Sequence, residues 1–349
     1  MDQQVILTTD SAAALDTLCT AQYDRVFLLA DETTEALCRP HLKAWQRGSE
    51  TEDIVIKATD THKDLAALSD VWTALQQQKA SRHSLLVNLG GGMVTDLGGF
   101  AAATFKRGMD FVNVPTTLLA MVDAAVGGKT GINFNDYKNE IGVFKKAMAV
   151  IVDTTFLQTL DAENLRSGYA EMLKHSLLQD ERMWAEHVGY DLSSPDLGQL
   201  QRMVGESIAV KQRIVTEDPT EKGIRKALNL GHTFGHAFES LALLQDRPQL
   251  HGYFVAWGMI CELYMSATQM GFPTDRMRQT IQFIKDYYGT FSFSCDDYEK
   301  LYELMLHDKK NAGGVISVTL LSDIGDIQID QHPSKEDIFE AFDFLREGA

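Results

Sequence analysis

Residues 84–96 read Ser-Leu-Leu-Val-Asn-Leu-Gly-Gly-Gly-Met-Val-Thr-Asp, an apolar run that ends in three consecutive glycines. The run is typical of a buried β-strand, and a helical pattern of small residues follows at 97–105. Glycines at such a junction let a ligand approach the backbone, and the helix N-terminus favours an anion such as pyrophosphate. The stretch predicts a strand–turn–helix unit that either binds a phosphate or is a tight turn without a ligand. Asp96 is placed to accept a ribose hydroxyl or to cap the helix.

Similar patterns surround this stretch. Apolar runs at 26–30, 54–58, 110–114 and 149–153 alternate with helical patterns such as 65–79, which predicts a mostly parallel α/β sheet. From 157 to 285 the spacing is almost entirely helical, and two short strands are predicted at 315–321 and 327–330. We expect a Rossmann-like α/β domain at 1–155 and a mainly α-helical domain at 156–349. The glycines depart from the usual G-x-G-x-x-G spacing and do not follow the first strand, so the predicted sheet is a variant of the doubly wound plan.

Composition limits the partners of the chain. Its 349 residues carry a formal net charge of −17, which argues against a nucleic-acid or anionic-membrane surface. An anionic substrate would need a local cluster of Lys and Arg. The four cysteines have no metal-like or redox spacing, and the first residues show no signal-peptide pattern. We therefore expect free thiols and a cytoplasmic location.

A second glycine-rich segment, Gly127-Gly128-Lys129-Thr130-Gly131, resembles the end of a Walker A loop. The glycine that this loop requires five positions before Gly128 is absent, because Asp123 stands there. A nucleotide triphosphatase is therefore disfavoured. Lys129 is still suited to hold a phosphate as a point charge.

Histidines and a glutamate form a third pattern. Residues 229–236 read Asn-Leu-Gly-His-Thr-Phe-Gly-His, His251-Gly252 follows, and Glu171 lies upstream within 168–175. One carboxylate and two imidazoles leave a coordination position open, as a catalytic Zn²⁺ site requires. His232 and His236 share a helix face, so the residues alone are also compatible with buried structural histidines.

Together these segments resemble the 3-dehydroquinate synthase family of the sugar-phosphate cyclase superfamily. The motifs run in order from about residue 26 to 325. They are Leu-Gly-Gly-Gly with Asp96, Lys106-Arg107-Gly108, Val114-Pro-Thr-Thr-Leu-Leu, Val126-Gly-Gly-Lys-Thr-Gly, Lys138-Asn139, Gly168 with Glu171 and Lys174, Asn229 to His236, His251-Gly252 and Asp308-Lys309-Lys310.

The resemblance implies a homodimeric, cytoplasmic lyase with an N-terminal NAD-binding domain and a helical domain that binds Zn²⁺ or Co²⁺. The substrate would be 3-deoxy-D-arabino-heptulosonate 7-phosphate, held between the domains and converted to 3-dehydroquinate and phosphate in the shikimate pathway. The implied steps are transient oxidation by NAD, phosphate elimination, return of the hydride and intramolecular aldol closure. Which residue moves which proton is left open, and the departing phosphate is itself a candidate base.

The resemblance also implies site residues. The metal ligands are Glu171, His232 and His251. The catalytic group is Asp123, Lys174, Asn229 and His236. The substrate-binding group is Lys129, Asn139, Lys211, Arg225 and Lys309, together with Arg107 reaching the phosphate from the partner subunit. The NAD-binding group is Asp31, Asp60, Lys63, Gly91, Gly92, Asp96, Thr116, Thr117, Lys129, Lys138, Phe156 and Thr159.

Two short segments differ from the family pattern. Related families share other parts of the pattern, and they give the alternative functions. Glu163-Asn164 stands where the family usually has Arg-Glu, and Tyr253-Phe254 where it usually has Glu-Ala. The alternatives are another sugar-phosphate cyclase and a metal-dependent polyol dehydrogenase of related fold. Lys211, Arg225 and Asn229 favour a substrate with a carboxylate, which the sister cyclases' substrates lack.

Overall fold

The computed structural model describes residues 3–20, 22–135, 137–307 and 315–347. The chain divides into two compact units. Unit 1 contains Met1–Asp161 and Asp196–Ile208, and unit 2 contains Ala162–Pro195 and Ala209–Ala349. The domain boundary at 155/156 stays a prediction.

Unit 1 is built on a parallel six-stranded sheet. The strands are β1 (Gln4–Leu7), β2 (Val26–Asp31), β3 (Glu52–Ile56), β4 (Leu85–Gly90), β5 (Asp110–Pro115) and β8 (Ala149–Val152), in the order β1-β8-β5-β4-β2-β3. All paired neighbours in this sheet are parallel. The prediction of a parallel α/β sheet is confirmed. Strands β2 and β4 are buried along their whole length, which explains their uninterrupted apolar character.

Four α-helices of unit 1 precede or separate these strands. They are α1 (Ser11–Leu18), α2 (Glu32–Leu37), α3 (Leu65–Gln77) and α4 (Gly92–Thr104). An antiparallel hairpin follows, made of β6 (Lys129–Phe134) and β7 (Tyr137–Phe144). The sequence patterns did not predict β1 or this hairpin. Strand β1 is only four residues long, and glycines interrupt the apolar spacing of both hairpin strands.

The strand order places the glycine loop at a crossover point of the sheet. The chain passes from β2 outward to β3 and then returns to β4 on the other side of β2. Ligands of open α/β sheets bind outside the carboxyl ends of strands at such a reversal. Gly90 ends β4 and Asp31 ends β2, so both residues lie at this edge.

Unit 2 is mainly helical. Its helices are α5 (Ala162–Leu177), α6 (Glu181–Val188), α8 (His232–Leu244), α9 (His251–Met265), α10 (Thr274–Tyr288), α11 (Tyr298–Leu306) and α12 (Lys335–Glu347). The helix α7 (Leu197–Glu217) is divided between the units. The short strands β9 (Val318–Asp323) and β10 (Asp326–Gln331) pair antiparallel, which confirms the two strands predicted there.

Helix α9 forms the centre of unit 2. Nearly all of its residues are buried, and it contacts α5, α8, α10 and α12. A helix that is apolar on all sides is expected in the middle of a domain rather than at its surface. None of the helices in the described ranges is both long and apolar enough to cross a membrane.

Candidate metal centre and glycine-loop site

Three helices bring the predicted metal ligands together. Glu171 lies within α5, and His232 and His251 are the first residues of α8 and α9. Oε1 of Glu171 lies 3.3 Å from Nε2 of His232 and 3.9 Å from Nε2 of His251. Ligand bonds of about 2.0–2.1 Å in a tetrahedral site separate neighbouring ligand atoms by about 3.3–3.4 Å. The arrangement therefore fits a divalent cation.

The buried carboxylate of Glu171 supports this fit. Its side chain is 1% exposed, and the polar neighbours of Oε1 are the imidazoles of His232 and His251, neither of which makes a well-formed hydrogen bond to it. The other oxygen, Oε2, is ion-paired with Lys174, which is equally buried. A buried carboxylate oxygen without a hydrogen bond is costly, so a cation bound between the two imidazoles would satisfy it.

Electrostatics keep Glu171 ionised. Burial by itself raises the pKa of this carboxyl group. The ammonium group of Lys174 and the imidazoles of His232 and His251 outweigh burial and hold the pKa of Glu171 well below its usual range. The carboxylate is thus available as a metal ligand.

Hydrogen bonds orient both imidazoles. Nδ1 of His251 lies 3.1 Å from Oε2 of Glu239, and Nδ1 of His232 lies 3.1 Å from the carbonyl oxygen of Leu230. Each bond leaves Nε2 facing Glu171. Sequence reasoning missed Glu239. Its spacing from His232 and His236 in α8 is i+7 and i+3, which would have placed it on the same helix face.

His236 lies beside the same space. Its ring centroid is 5.4 Å from that of His232 and 5.8 Å from that of His251. The three histidines also offer nitrogens within 4.8 Å of one another. His236 is therefore close enough to contact a group bound by the ligands, and the geometry alone also permits a three-histidine set. The unsatisfied oxygen of Glu171 favours the set that contains the carboxylate.

Glycines allow the helices to approach this closely. A Cβ on Gly258 of α9 would overlap the carbonyl oxygen of Gly231, and one on Gly252 would overlap that of Ser167 in α5. Gly231 precedes His232 with a φ of +79°, a conformation that glycine adopts without strain. The glycines flanking the histidines thus set the distances between the ligands.

The structure also describes three other predicted residues of unit 2. Arg225 and Asn229 lie in the 3-10 helix Ile224–Asn229 just before α8, and Lys211 lies in α7. Arg225 and Lys211 are buried, 4% and 6% exposed, although both carry a charge. The guanidinium group of Arg225 donates to the carbonyl oxygen of Pro219. Lys309 lies outside the described residues.

In unit 1 the glycines after β4 lie beside the predicted NAD residues Thr116 and Thr117, which follow β5. Gly90 pairs with Pro115 across β4 and β5, and the backbone N–H of Thr116 donates to the carbonyl oxygen of Gly90. Gly91 precedes α4 without a side-chain cap, and a Cβ on it would lie 3.0 Å from Cγ2 of Thr117. The first turn of α4 therefore has backbone N–H groups available for an anion.

A polar cluster of unit 1 joins Lys63, Asp96 and Asn139. Nζ of Lys63 donates to Oδ2 of Asp96 and to Oδ1 of Asn139, both at 2.5 Å. Asp96 does not cap the helix, because α4 begins at Gly92 rather than 97, and the capping alternative was wrong. Burial raises the pKa of Asp96 above 3.8, although the Lys63 ammonium opposes the shift. Lys138 lies 3.7 Å from Asp60 in the same unit.

Three further predicted NAD residues occupy structural positions. Oδ1 of Asp31 accepts hydrogen bonds from the backbone of Thr33 and Thr34 and so caps α2. Phe156 is fully buried, and the hydroxyl of Thr159 donates to its carbonyl oxygen. These contacts explain the local fold, and the three NAD roles stay predictions.

The remaining predicted residues of unit 1 lie in loops and at a strand end. Lys129 begins β6 and is exposed, and Asp123 is half-buried in the π-helical turn Ala120–Ala124. Arg107 has a φ of +67° and lines a surface cavity of about 360 Å³. Arg82, His83 and Lys145 line the same cavity together with Asp110, so basic side chains outnumber the single carboxylate there.

Comparisons with known proteins identify the family. Models of the 3-dehydroquinate synthase N-terminal and C-terminal domains match residues 53–167 and 168–311. The chain is 51% identical over 347 residues to 3-dehydroquinate synthase of Parabacteroides distasonis, covering 99% of this chain and 98% of the relative. It is 34% identical over 331 residues to the enzyme of Campylobacter jejuni subsp. doylei, covering 93% of each.

Solved structures share the fold. One is 2-epi-5-epi-valiolone synthase from Streptomyces hygroscopicus with NAD⁺ and Zn²⁺ bound, at a TM-score of 0.87 and 24% identity over 99% of this chain and 97% of that one. Another is 2-deoxy-scyllo-inosose synthase complexed with carbaglucose-6-phosphate, NAD⁺ and Co²⁺, at a TM-score of 0.84 and 21% identity over 99% and 96%. The sequence matches cover nearly the whole chain, so the resemblance stated above is confirmed: this chain belongs to the 3-dehydroquinate synthase family.

Proposed function

We propose that the chain is a 3-dehydroquinate synthase that converts 3-deoxy-D-arabino-heptulosonate 7-phosphate to 3-dehydroquinate and phosphate in the shikimate pathway. Family membership supports the proposal. The observation that carries it is the approach of His232 and His251 to the buried, unsatisfied Oε1 of Glu171. This donor set suits a catalytic cation with an open position.

Two bound groups would supply the chemistry that side chains lack. When present, Zn²⁺ or Co²⁺ supplies Lewis-acid polarisation of substrate hydroxyls, and NAD supplies a reversible hydride acceptor. Glu171, His232 and His251 would hold the cation. Glu239 would orient His251, and Lys174 would keep Glu171 ionised.

NAD binding is assigned to the loops after β4 and β5. The N–H groups at the start of α4 suit the pyrophosphate, because Gly91 and Gly92 leave them accessible. Asp96 would accept ribose hydroxyls while Lys63 holds its carboxylate in place. The rest of the proposed set comprises Asp31, Asp60, Thr116, Thr117, Lys129, Lys138, Phe156 and Thr159.

The substrate would be gripped by cations and amides. A carboxylate and a phosphate need several donors, and an overall net charge of −17 makes a local basic cluster necessary. The proposed donors are Lys129, Asn139, Lys211, Arg225 and Lys309, with Arg107 supplied across a homodimer interface. The excess of basic side chains over the one carboxylate, Asp110, in the cavity around Arg107 supports an anion-binding role for this surface.

Proton movements are assigned to groups near the reacting carbons. His236 is next to both metal-binding imidazoles, so its neutral ring can accept a proton from a substrate hydroxyl. Asp123 and Lys174 are proposed to orient hydroxyls and to pass protons, and Asn229 is proposed to orient hydroxyls through hydrogen bonds. We also propose that the enzyme is a lyase of the cytoplasm, where the reducing environment suits its free cysteines.

The proposal is tested by incubating the full-length protein with the keto-acid phosphate, NAD⁺ and Zn²⁺. Phosphate release and the absorbance of reduced nicotinamide are followed together. We expect many equivalents of phosphate without accumulation of NADH, because the hydride is returned in each turnover. The Glu171→Gln variant is the control and should release no phosphate above background.

The same assay separates the alternatives. Turnover of sedoheptulose 7-phosphate without turnover of the keto-acid phosphate would assign the chain to the sister cyclases. Stoichiometric build-up of NADH would assign it to the polyol dehydrogenases. Either result would overturn the proposed reaction.

A further inference from the structure

Glu262 is a fully buried acidic residue on the same helix as His251. Its Oε2 accepts a hydrogen bond of 2.7 Å from the backbone N–H of Gly231. Burying a carboxyl group costs free energy, so a residue of this type in a helix core calls for an explanation. The proposed reaction does not use it.

The hydrogen bond from Gly231 leads directly to a metal-binding histidine. The N–H of Gly231 and the carbonyl of Leu230 belong to one planar peptide group. The N–H faces Glu262, while the carbonyl oxygen lies 3.1 Å from Nδ1 of His232. Because a carbonyl oxygen only accepts, Nδ1 must carry the proton. Nε2 of His232, 3.3 Å from Oε1 of Glu171, is then the nitrogen left to bind a cation placed beside that oxygen.

We propose that Glu262 is a positioning residue that acts on His232 through the Leu230–Gly231 peptide. It holds the imidazole in the tautomer and orientation that bind a divalent cation. Hydrogen bonds in series strengthen one another in a buried environment, and outer partners of a metal-binding histidine raise its basicity. The inference rests on the proposed metal site.

Two further features tie the role to this peptide. Gly231 lies at the N-terminus of α8 and has no side chain with which to cap the helix. A Cβ on Gly231 would lie 2.6 Å from Cγ of Met259 and 2.6 Å from the carbonyl oxygen of Val255. Helix α9 thus leaves the Leu230–Gly231 peptide little space to move. The carboxylate of Glu262, on the same helix, fixes the direction of the N–H group of this peptide. The two imidazoles are supported in different ways, His251 directly by Glu239 and His232 through a peptide by Glu262.

The test compares Glu262→Met and Glu262→Gln in the full-length, metal-free protein. Affinity for Co²⁺ alone is measured by competition with a chelator. We expect Glu262→Met to weaken Co²⁺ binding about 10- to 100-fold, in the range seen for outer-shell partners of metal ligands. Glu262→Gln keeps an acceptor oxygen and should lose less.

A neighbouring variant controls for loss of packing. Cys261 is the adjacent residue of α9, is equally buried, and directs its Sγ toward the carbonyl oxygen of Ala341 in α12. Cys261→Ala should lower the free energy of unfolding without changing Co²⁺ affinity. A loss of affinity in this variant equal to that in Glu262→Met would contradict a specific role for the carboxylate.

A spectroscopic readout separates positioning from general stability. Long-range ¹H–¹⁵N correlation spectra of labelled histidine report the tautomer of His232. The wild type should show a proton on Nδ1, and Glu262→Met should show a mixture of tautomers. If Glu262→Met does not fold, a shifted His232 ¹⁵N resonance and weaker Co²⁺ binding in Glu262→Gln support the same inference.

The outcomes distinguish this inference from the metal site itself. If His232→Ala binds Co²⁺ as tightly as the wild type, the proposed metal site is wrong. If His232→Ala loses Co²⁺ while both Glu262 variants keep wild-type affinity and the wild-type tautomer, the metal site stands and the role of Glu262 is refuted.

Discussion

Oε2 of Glu239 lies 3.1 Å from Nδ1 of His251, although the two residues come from different helices, α8 and α9. The contact turns Nε2 of His251 toward the carboxylate of Glu171. A carboxylate on the distal nitrogen of a metal-binding imidazole fixes its tautomer and raises its basicity. The relationship connects helix packing to the proposed metal site.

Replacement of Glu239 should therefore weaken metal binding without removing a ligand. We expect Glu239→Ala to lower Zn²⁺ affinity about 10- to 100-fold and Glu239→Gln to lower it less. Affinity is measured by competition with a chromogenic chelator. The exposed Glu303→Gln on α11 serves as a charge-matched control that should bind as the wild type does. Wild-type affinity in Glu239→Ala would show that the contact does not support the site.

His236 and His251 should behave differently when each is replaced by alanine. His251→Ala removes a proposed ligand, so the purified variant should contain little bound metal. His236→Ala should retain the metal but lose about 10²-fold or more in kcat, the range for removal of a general acid–base group. Metal content is measured by atomic emission and turnover by phosphate release. Loss of metal in His236→Ala as well as in His251→Ala would instead favour the three-histidine set.

The raised pKa of Asp96 predicts how NAD affinity depends on pH. Burial favours the protonated form of Asp96 and raises its pKa from 3.8, so the carboxyl group loses its proton at a higher pH than an exposed aspartate does. A ribose hydroxyl is accepted best by the ionised form, and NAD affinity should fall as the pH decreases through this pKa. Asp96→Asn should bind NAD more weakly and without this acid-side loss. NAD⁺ affinity of the wild type and of Asp96→Asn is measured at several pH values by the change in intrinsic fluorescence as NAD⁺ is added. An identical dependence of affinity on pH in the two proteins would contradict the role of Asp96.

The raised pKa of Asp96 also makes the free energy of unfolding depend on pH. The folded chain binds the Asp96 proton more tightly than the unfolded chain does. The contribution of this proton to the free energy of unfolding is therefore fully present below about pH 3.8 and is lost as the pH rises through the folded-state pKa.

Gly258→Ala should disturb the metal site from outside it. The added Cβ would overlap the backbone of Gly231, which immediately precedes α8, so α8 and α9 must separate. We expect a loss of about 1–3 kcal/mol in the free energy of unfolding and weaker metal binding. The control is Gly198→Ala in α7, where the nearest atom to the new Cβ is a side-chain oxygen of Asp196 at 3.3 Å. Equal effects of the two substitutions in chemical denaturation would show that the close approach of α8 and α9 is not required.

The sequence predicted the parallel sheet and the helical second half because their patterns are long and regular. The uninterrupted apolar run of β4 marks a strand buried on both faces, and the spacing of 157–285 marks helices. The hairpin of β6 and β7 escaped prediction because Gly131 and Gly142 interrupt its pattern. The start of α4 was misplaced by five residues, since glycines at a helix N-terminus give no helical signal.

At the site, residue types were predictable but supporting contacts were not. His232, His236, His251 and Glu171 stand out through their motifs. The bond between Glu239 and His251, and the path from Glu262 to His232, depend on how α8 packs against α9. Such long-range contacts follow from the close approach of glycine backbones, which a single sequence does not reveal.

The central claim is that one divalent cation is bound by Glu171, His232 and His251. Anomalous diffraction at the zinc absorption edge, from crystals of the full-length protein grown with Zn²⁺, tests it most directly. We predict one strong peak about 2.0–2.2 Å from Nε2 of both histidines and from a carboxylate oxygen of Glu171. A peak bound by His232, His236 and His251, with Glu171 still paired only to Lys174, would contradict the account.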